Sequence, residues 1–236
     1  MVVKNYQMEI RGLMEKGILY IVATPIGNLK DITLRALETL KEVDFIACED
    51  KRVTIKLLNH YNIKKPLISF HQHSRWQKFD LIINKLKEGK NMALVTDAGT
   101  PGISDPGNNL IAEVIKNEIK VVPIPGPSAL TALASVAGID MQKFIFLGFP
   151  PHKKGRNKFF QKIAEAEYPA VYYESPYRAV KNLELLASFN PQKSIIIGRE
   201  LTKVFEEIKR GNLAEVAEFL RQKKAQIKGE FTIIVY

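Results

Sequence analysis

The stretch NMALVTDAGTPGISDPG, residues 91–107, joins a short apolar run to a loop with three glycines, two prolines and two aspartates. The run is continuously apolar, which is typical of a strand in a parallel sheet with both faces covered. A loop that follows such a strand lies at the carboxyl end of the sheet, where open α/β folds bind ligands. The stretch therefore predicts an α/β fold with a ligand loop.

The same alternation of strand and helix extends in both directions. Short apolar runs are each followed by helical periodicity, an order that indicates right-handed crossovers and a mainly parallel sheet. The predicted strands are ILYIVA (18–23), DFIACED (44–50), PLISF (66–70), NMALVTD (91–97) and KVVPIPGPS (120–128). The predicted helices lie near 31–42, 52–61, 76–89, 106–117 and 128–137. We expect an N-terminal α/β domain over residues 18–140 with a five-stranded, mainly parallel sheet, after an extension of residues 1–17.

A second set of elements follows a plausible linker at 138–143. Its predicted strands are FIFLGF (144–149), AVYYES (170–175), SIIIGREL (194–201) and EFTIIVY (230–236), and KVFEEIKRG (203–211) is predicted to pair beside the third. Its predicted helices lie near 156–166, 177–188 and 213–224. These patterns predict a smaller C-terminal α/β domain over residues 141–236 with a mixed sheet.

The chain is basic, and its excess charge is uneven. It has 236 residues and a net charge of +10; residues 1–140 contribute +3 and residues 141–236 contribute +7. Such a balance is compatible with nucleic acid, an anionic membrane face or acidic small molecules as partners. No apolar run reaches membrane-spanning length, no secretory pattern opens the sequence, and Cys48 is the single cysteine. We expect a cytoplasmic protein without a membrane partner.

The loop after the fourth strand is acidic, which is unusual for a phosphate site. Asp97 and Asp105 would repel phosphates, and neither a P-loop nor a complete G-x-G-x-x-G is present. S-adenosylmethionine suits the loop better, because its ribose hydroxyls, sulfonium and ammonium groups all match carboxylates. Gly99 and Gly102 allow close backbone approach, and Ser104 or Asp105 is expected to cap the next helix.

Eight segments in a fixed order carry a resemblance to a known family. They are YIVATPIGNLKDITLRALETL, ACEDKR, ALVTDAGTPGISDPG, VVPIPGPSAL, GFPP, YYESPYR, GRELTKVFEE and KGEF. From about Leu19 to the C-terminus the chain resembles the ribosomal RNA small subunit methyltransferase I family of the tetrapyrrole methylase superfamily. The resemblance implies S-adenosylmethionine in a cleft between two α/β domains, 2′-O-methylation of a cytidine ribose in the decoding region of 16S ribosomal RNA, and a homodimer.

The resemblance also supplies cofactor-binding candidates. Those that match the two cofactor loops are Asp97, Gly99, Thr100, Pro101, Ser104, Asp105, Gly126, Pro127, Ser128 and Ala129. Pro25, in the loop after the first strand, and Tyr173, at a strand end of the second domain, complete the predicted cofactor set. Tyr173 and Glu174 are expected to close the cofactor site from the second domain, with ordinary strand packing as an equal alternative.

Methyl transfer to a ribose hydroxyl needs positioning and benefits from a base that removes the hydroxyl proton. The candidates for this base in the motifs are Glu49, Asp50, Glu174, Glu200 and Lys203. Asp50, Glu174, Glu200 and Lys203 are the predicted catalytic residues. A structural ion-pair network is an alternative for the GRELTK segment, residues 198–203.

The segment PPHKKGRNKFF, residues 150–160, is the most basic in the chain. Phosphate contacts need cationic side chains without base specificity, so the predicted RNA-binding residues are Lys153, Lys154, Arg156 and Lys158, with Arg52 from the first domain. A solvated helix start is the alternative. The tyrosines Tyr172, Tyr173 and Tyr177 are candidates for stacking a flipped base, although core packing accounts more simply for at least two of them.

Parts of the sequence are also compatible with two other functions and one other kind of site. A methylase of a small tetrapyrrole precursor is disfavoured, because TPIGNL, residues 24–29, departs from the glycine-rich turn of those enzymes. A non-catalytic RNA-binding module would leave the cofactor motifs without a role. His71 and His73 lack a third ligand cluster, so no metal site is predicted.

Overall fold

A computed structural model describes residues 16–70, 76–105, 107–223 and 229–236, which divide into two compact units after Pro127. Residues 128–140, placed in the N-terminal domain by sequence, therefore cluster with the second unit. The histidine pair at 71 and 73 lies outside the described residues, as does the predicted extension except for Lys16 and Gly17. Gly17 is held against the first unit, since its N–H donates to the Leu86 carbonyl at 2.7 Å.

The first unit is a five-stranded, fully parallel sheet with strand order β3-β2-β4-β1-β5, as the sequence predicted. Its strands are β1 (Leu19–Val22), β2 (Phe45–Cys48), β3 (Leu67–Ser69), β4 (Met92–Val95) and β5 (Val121–Ile124). Its helices are α1 (Leu34–Glu42), α2 (Lys51–His60), α3 (Trp76–Lys87) and α4 (Asn108–Lys116), with a short 3₁₀ helix at Leu29–Asp31.

Both faces of this sheet are covered, and each has its own apolar core. Phe45 and Ala47 of β2 face the core that contains residues of α3 and α4. Ile46 and Cys48, one position on, face the core that contains residues of α1 and α2. Since successive side chains of a strand point to opposite faces, the continuously apolar strands are explained by burial on both sides.

The strand order creates a switch point at the carboxyl ends of β2 and β4. These strands are neighbours, but the chain leaves β2 toward β3 and leaves β4 toward β5, in opposite directions along the sheet. Their following helices, α2 and α4, accordingly pack on opposite faces. Such a switch point opens a crevice in which doubly wound folds bind ligands.

The second unit is a mixed five-stranded sheet with order β6-β7-β10-β8-β9, again as predicted. Only β6 and β7 pair in parallel. The strands are β6 (Ile145–Phe146), β7 (Ala170–Glu174), β8 (Ser194–Arg199), β9 (Glu207–Asn212) and β10 (Phe231–Val235). The helices are α5 (Ala129–Ser135), α6 (Arg156–Ala164), α7 (Pro176–Phe189) and α8 (Leu213–Gln222). The predicted pairing of the KVFEEIKRG segment is confirmed by β9.

One predicted helix start is wrong. Neither Ser104 nor Asp105 is the N-cap of α4, because the helix begins after Gly107, which has a φ of +139° and provides no side-chain cap. The first helical side chain turns back instead, and the Asn108 amide donates to the Gly102 carbonyl at 3.1 Å. Among the described helices, none is long and apolar enough to cross a membrane.

Candidate functional site

The loops after β1, β2, β4 and β5 all lie at the carboxyl edge of the parallel sheet. They contain Pro25, Asp50, the stretch from Asp97 to Asp105, and Gly126 with Pro127. The fold therefore brings together every cofactor-binding candidate of the first unit, together with Asp50 and Arg52. Ser128, Ala129 and Tyr173 belong to the second unit.

Asp97 connects the two strands of the switch point. Its Oδ1 accepts a hydrogen bond from the backbone N–H of Asp50, at 3.1 Å. Burial raises the pKa of Asp97, and the negative charge of Asp50 acts in the same direction, while that hydrogen bond and the Arg52 charge oppose the rise. Asp97 is thus a half-buried carboxylate whose charge is incompletely compensated.

Asp50 is the N-cap of α2 and is bound closely by Arg52. Its Oδ1 accepts from the Arg52 backbone N–H at 2.8 Å, and the guanidinium reaches Oδ2 at 2.5 Å. These side-chain and backbone hydrogen bonds hold the pKa of Asp50 below its ordinary value. The Arg52 side chain is 87% exposed. It is therefore accessible for the predicted RNA contact, although its charge is paired with Asp50.

The glycine-rich loop is fixed to the end of β1 by two buried threonines that sequence reasoning missed. Thr24 and Gly99 exchange two backbone hydrogen bonds, at 2.9 and 3.0 Å. The Thr24 hydroxyl also donates to the carbonyl of Thr96 at 3.0 Å, and the Thr96 hydroxyl donates to Glu49 at 3.3 Å. Gly99 takes a φ of +85°, which favours glycine. The loop backbone is consequently held in place before any ligand arrives.

Gly126 permits the loop after β5 to pass close to β1. A Cβ at this position would lie 3.1 Å from the Cβ of Ala23, tighter than ordinary packing. Pro25 and Pro101 are buried, whereas Ser104 is exposed with a φ of +61°. The candidates thus divide into residues that shape the loops and residues that present polar groups at the edge.

In the second unit, the carboxylate of Glu174 is enclosed and fully hydrogen-bonded. Its side chain has no exposed surface and forms an ion pair with Arg178 at 3.0 Å. It also accepts from the Ser175 backbone N–H at 2.7 Å and from the Asn182 amide. This geometry suits a residue that positions its neighbours, and the catalytic role predicted for Glu174 stays a prediction. Neighbouring Tyr173 is half-buried in ring contacts with Phe146 and Phe149.

Glu200, Lys203 and Glu230 form one ion-pair cluster. The Lys203 ammonium donates to Glu200 at 2.8 Å and to Glu230 at 3.0 Å. Burial acts to lower the pKa of Lys203, but hydrogen bonds to the two carboxylates outweigh it and raise the pKa. Lys203 is therefore protonated at neutral pH and would act as a cation. The structural network weighed for the GRELTK segment is present, and the catalytic roles of Glu200 and Lys203 stay predictions.

The basic segment presents its cations to solvent. Lys153, Lys154 and Lys158 are exposed and Arg156 is half-buried. Gly155, with a φ of +88°, is the N-cap of α6, so these four basic residues precede the helix or lie in its first turn. Because cations at this end of a helix oppose its dipole, local helix stability does not explain them.

The comparisons with known proteins agree with this architecture. Residues 18–217 match the family model of the tetrapyrrole (corrin/porphyrin) methylases. Cobalt precorrin-4 methyltransferase is 16% identical, with a TM-score of 0.71 over 92% of this chain and 94% of that one. Diphthine synthase is 14% identical, with a TM-score of 0.71 over 92% and 89%; these likenesses show the fold alone. The chain belongs to the tetrapyrrole methylases, a family of S-adenosylmethionine-dependent methyltransferases.

Sequence relatives identify the particular family within the tetrapyrrole methylases. Ribosomal RNA small subunit methyltransferase I of Halalkalibacterium halodurans is 45% identical over 94% of this chain and 76% of that protein. The protein of the same name from Thermotoga maritima is 44% identical over 93% and 98%. Within the methylases, the chain therefore belongs to the ribosomal RNA small subunit methyltransferase I family. The predicted fold, family and enzyme class are confirmed.

Proposed function

We propose that this protein transfers a methyl group from S-adenosylmethionine to the 2′-oxygen of a cytidine ribose in 16S ribosomal RNA of the small subunit. The observation that carries the proposal is the 44–45% identity to ribosomal RNA small subunit methyltransferase I of two bacteria over 93–94% of the chain. The matched lengths of 222 and 219 residues exceed either unit alone, so the similarity extends into both units. We further propose that the protein acts as a homodimer in the cytoplasm.

The carboxyl edge of the first unit fits S-adenosylmethionine. Asp97 offers a half-buried carboxylate whose pKa is raised by burial, and a cationic or hydroxyl-bearing ligand there would stabilise its charged form. Gly126 lets the loop after β5 lie close against Ala23 at the end of β1. Gly99 holds its loop against β1. When bound, the cofactor supplies an electrophilic methyl group, and these residues would hold and orient it.

The protein's own task is to align a ribose hydroxyl and accept its proton. Asp50 is the catalytic candidate that contacts the cofactor loop, since its N–H binds Asp97. Its lowered pKa keeps it ionised at neutral pH but makes it a weak base. We therefore propose that Asp50 and Arg52 orient the RNA substrate at the carboxyl edge of the sheet. Glu200 and Glu174 act indirectly, by positioning the residues that they bind.

Phosphate contacts in this proposal come from the basic segment of residues 150–160. The second unit, residues 128–236, has 17 basic and 11 acidic side chains, a net charge of +6. The exposed cations of Lys153, Lys154 and Lys158 can reach phosphates without rearrangement of the fold.

The test is transfer of a labelled methyl group. The full chain is incubated with methyl-labelled S-adenosylmethionine and small ribosomal subunits from cells that lack this methylation, and any label is mapped by nuclease digestion. Label on a cytidine 2′-oxygen of 16S RNA is expected. Label on a base, on another RNA, or only on an added tetrapyrrole precursor would contradict the proposal. Sedimentation of the same preparation tests the homodimer.

A further inference from the structure

Two large aromatic side chains of the second unit are exposed, one in the loop after β6 and one in the first turn of α7. Tyr177, at the start of α7, is 89% exposed, and Phe149, after β6, is 55% exposed. Of the three tyrosines considered for base stacking, Tyr172 is buried and its pKa is raised by burial and by the charge of Glu174. Tyr173 is half-buried. Only Tyr177 of the three offers an open ring.

Arg178 holds the two loops together. Its guanidinium donates to the Pro150 carbonyl at 3.3 Å and to the Ser175 hydroxyl at 3.2 Å. The enclosed carboxylate of Glu174 binds the same guanidinium at 3.0 Å. Phe149 directly precedes Pro150, and Tyr177 directly precedes Arg178. One buried ion pair therefore fixes the backbone beneath both exposed rings.

The Phe149 ring has support on its inner side. Its centroid lies 5.3 Å from that of Tyr173, which in turn contacts Phe146 edge-on at 5.2 Å. A ring packed on one side and open on the other is a rigid surface with little conformational entropy to lose on binding. Such a ring suits a flat partner.

The charged residues that follow Phe149 in the chain indicate the chemical class of the partner. The cations of Lys153, Lys154, Arg156 and Lys158 follow Pro150 within eight residues, since 158 − 150 = 8, without an intervening acid. Aromatic faces beside a cationic segment match unpaired nucleic acid, whose bases stack on rings while its phosphates contact cations. Paired RNA does not offer its base faces in this way.

We propose that Phe149 and Tyr177 form a stacking platform for an unpaired nucleobase of the RNA substrate, beside phosphates that the basic segment holds. This inference rests on the proposed RNA substrate and adds to it the recognition of an unpaired nucleotide. It gives Glu174 and Arg178 the role of positioning residues that set the platform. Single-stranded RNA is accordingly bound in preference to a duplex of the same sequence.

The test measures binding of a short labelled single-stranded RNA of mixed sequence, and of its duplex, to the full chain. Tyr177→Ala and Phe149→Ala are each expected to weaken single-strand binding about 10-fold, the scale of one stacked base. Their salt dependence stays that of the wild type, because no phosphate contact is lost. Tyr177→Trp should restore affinity, whereas Tyr177→Leu should not. Phe205→Ala removes another exposed aromatic ring (72% exposed) and should leave binding unchanged.

The outcomes separate this inference from the proposed function. Absence of RNA binding by the wild type would overturn the preference for single-stranded RNA, and absence of methyl transfer to small ribosomal subunits as well would contradict the RNA substrate itself. Salt-sensitive RNA binding that both alanine variants leave unchanged would overturn the platform alone. Equal affinity of Tyr177→Leu and wild type would also overturn it. Loss of a dimer in Tyr177→Ala or Phe149→Ala, with unaltered RNA affinity, would reassign the rings to contact between two copies.

Discussion

The carboxylate of Glu174 and the guanidinium of Arg178 form a 3.0 Å ion pair across one turn at the end of β7, with the Glu174 side chain enclosed. Burying an ion pair costs desolvation energy, which further hydrogen bonds must offset. Ser175 and Asn182 supply those bonds to the carboxylate. The pair is therefore explained by its contribution to the structure of the second unit, without any role in a reaction.

Glu174→Gln should destabilise the protein strongly. The variant keeps the shape but leaves Arg178 without its counter-ion and turns an amide N–H₂ toward donors, so we expect a loss of about 3–5 kcal/mol in the free energy of unfolding. Urea denaturation measures it. Glu184→Gln is the control, because its pair with Arg221 is half-exposed and should contribute about 1 kcal/mol or less. Unchanged stability with lost methyl transfer would favour Glu174 as the catalytic base.

Lys203 should contribute stability with a defined pH dependence. Its folded pKa is raised above the ordinary value of 10.5, so the contribution is complete below that pH and is lost as pH rises through the folded pKa. Lys203→Met should therefore cost about 1–2 kcal/mol at neutral pH, and the difference from wild type should shrink above pH 10.5. Lys116→Met is the control, since it also removes a lysine paired with a glutamate, but the Lys116 side chain is 72% exposed. A pH-independent difference would contradict the ionic origin.

Gly229→Ala should disrupt the Lys203 cluster. A Cβ at Gly229 would lie 2.2 Å from the Glu200 carboxyl, and the φ of +106° adds backbone strain. Gly138→Ala isolates the strain, because its φ is +73° but nothing lies within 4 Å of the added atom. We expect a loss of about 1 kcal/mol at Gly138 and at least twice that at Gly229. Equal thermal unfolding midpoints would show that the loop relaxes freely around Glu200.

Asp97→Asn should weaken cofactor binding. Asparagine keeps an oxygen that can accept from the Asp50 N–H, but it removes the charge. Hydrogen bonds to charged groups contribute about 1.5–3 kcal/mol, so a loss of affinity of about 10-fold or more is expected by calorimetry with S-adenosylmethionine. Asp80→Asn, an exposed substitution on α3, should bind normally. Wild-type affinity in Asp97→Asn would remove the acidic loop from the cofactor site.

Neutralising the basic segment should flatten the salt dependence of RNA binding. Lys153→Gln, Lys154→Gln and Arg156→Gln together remove three predicted phosphate contacts. Each contact contributes about 0.7–0.9 to the slope of log affinity against log salt, so a decrease of about 2 is expected in a filter-binding titration.

The matched control removes the same charge from the first unit. The control residues are Lys41, Lys87 and Lys116, which are all exposed. They lie on helices and are separated in sequence from the loops at the carboxyl edge of the sheet. Their triple glutamine variant should retain the wild-type slope. A similar decrease in both variants would mean that general charge, and not the basic segment, sets the affinity.

Local patterns were sufficient for most of the fold. The continuously apolar strands required burial on both faces, and their alternation with helices required parallel crossovers. The parallel first sheet, the mixed second sheet and the pairing of β9 followed from these patterns. The start of α4 did not follow, because Ser104 and Asp105 are capping residue types that precede the true N-cap, and Gly107 has no side chain to mark the boundary.

The sequence by itself determined which loops meet at the carboxyl edge, because strand direction fixes where each loop emerges. Only the tertiary structure decided which side chains pair there and elsewhere. The Asp50 backbone N–H donates to the Asp97 carboxylate across 47 residues, and the Lys203 ammonium donates to Glu230 across 27. No local periodicity encodes such distances, since each contact depends on strand order and on burial that removes competing water. Glu174 pairs with Arg178 only four residues on, but the packing of the second unit decides that this carboxylate is enclosed, whereas Asp97 is left half-buried at the edge of the first sheet.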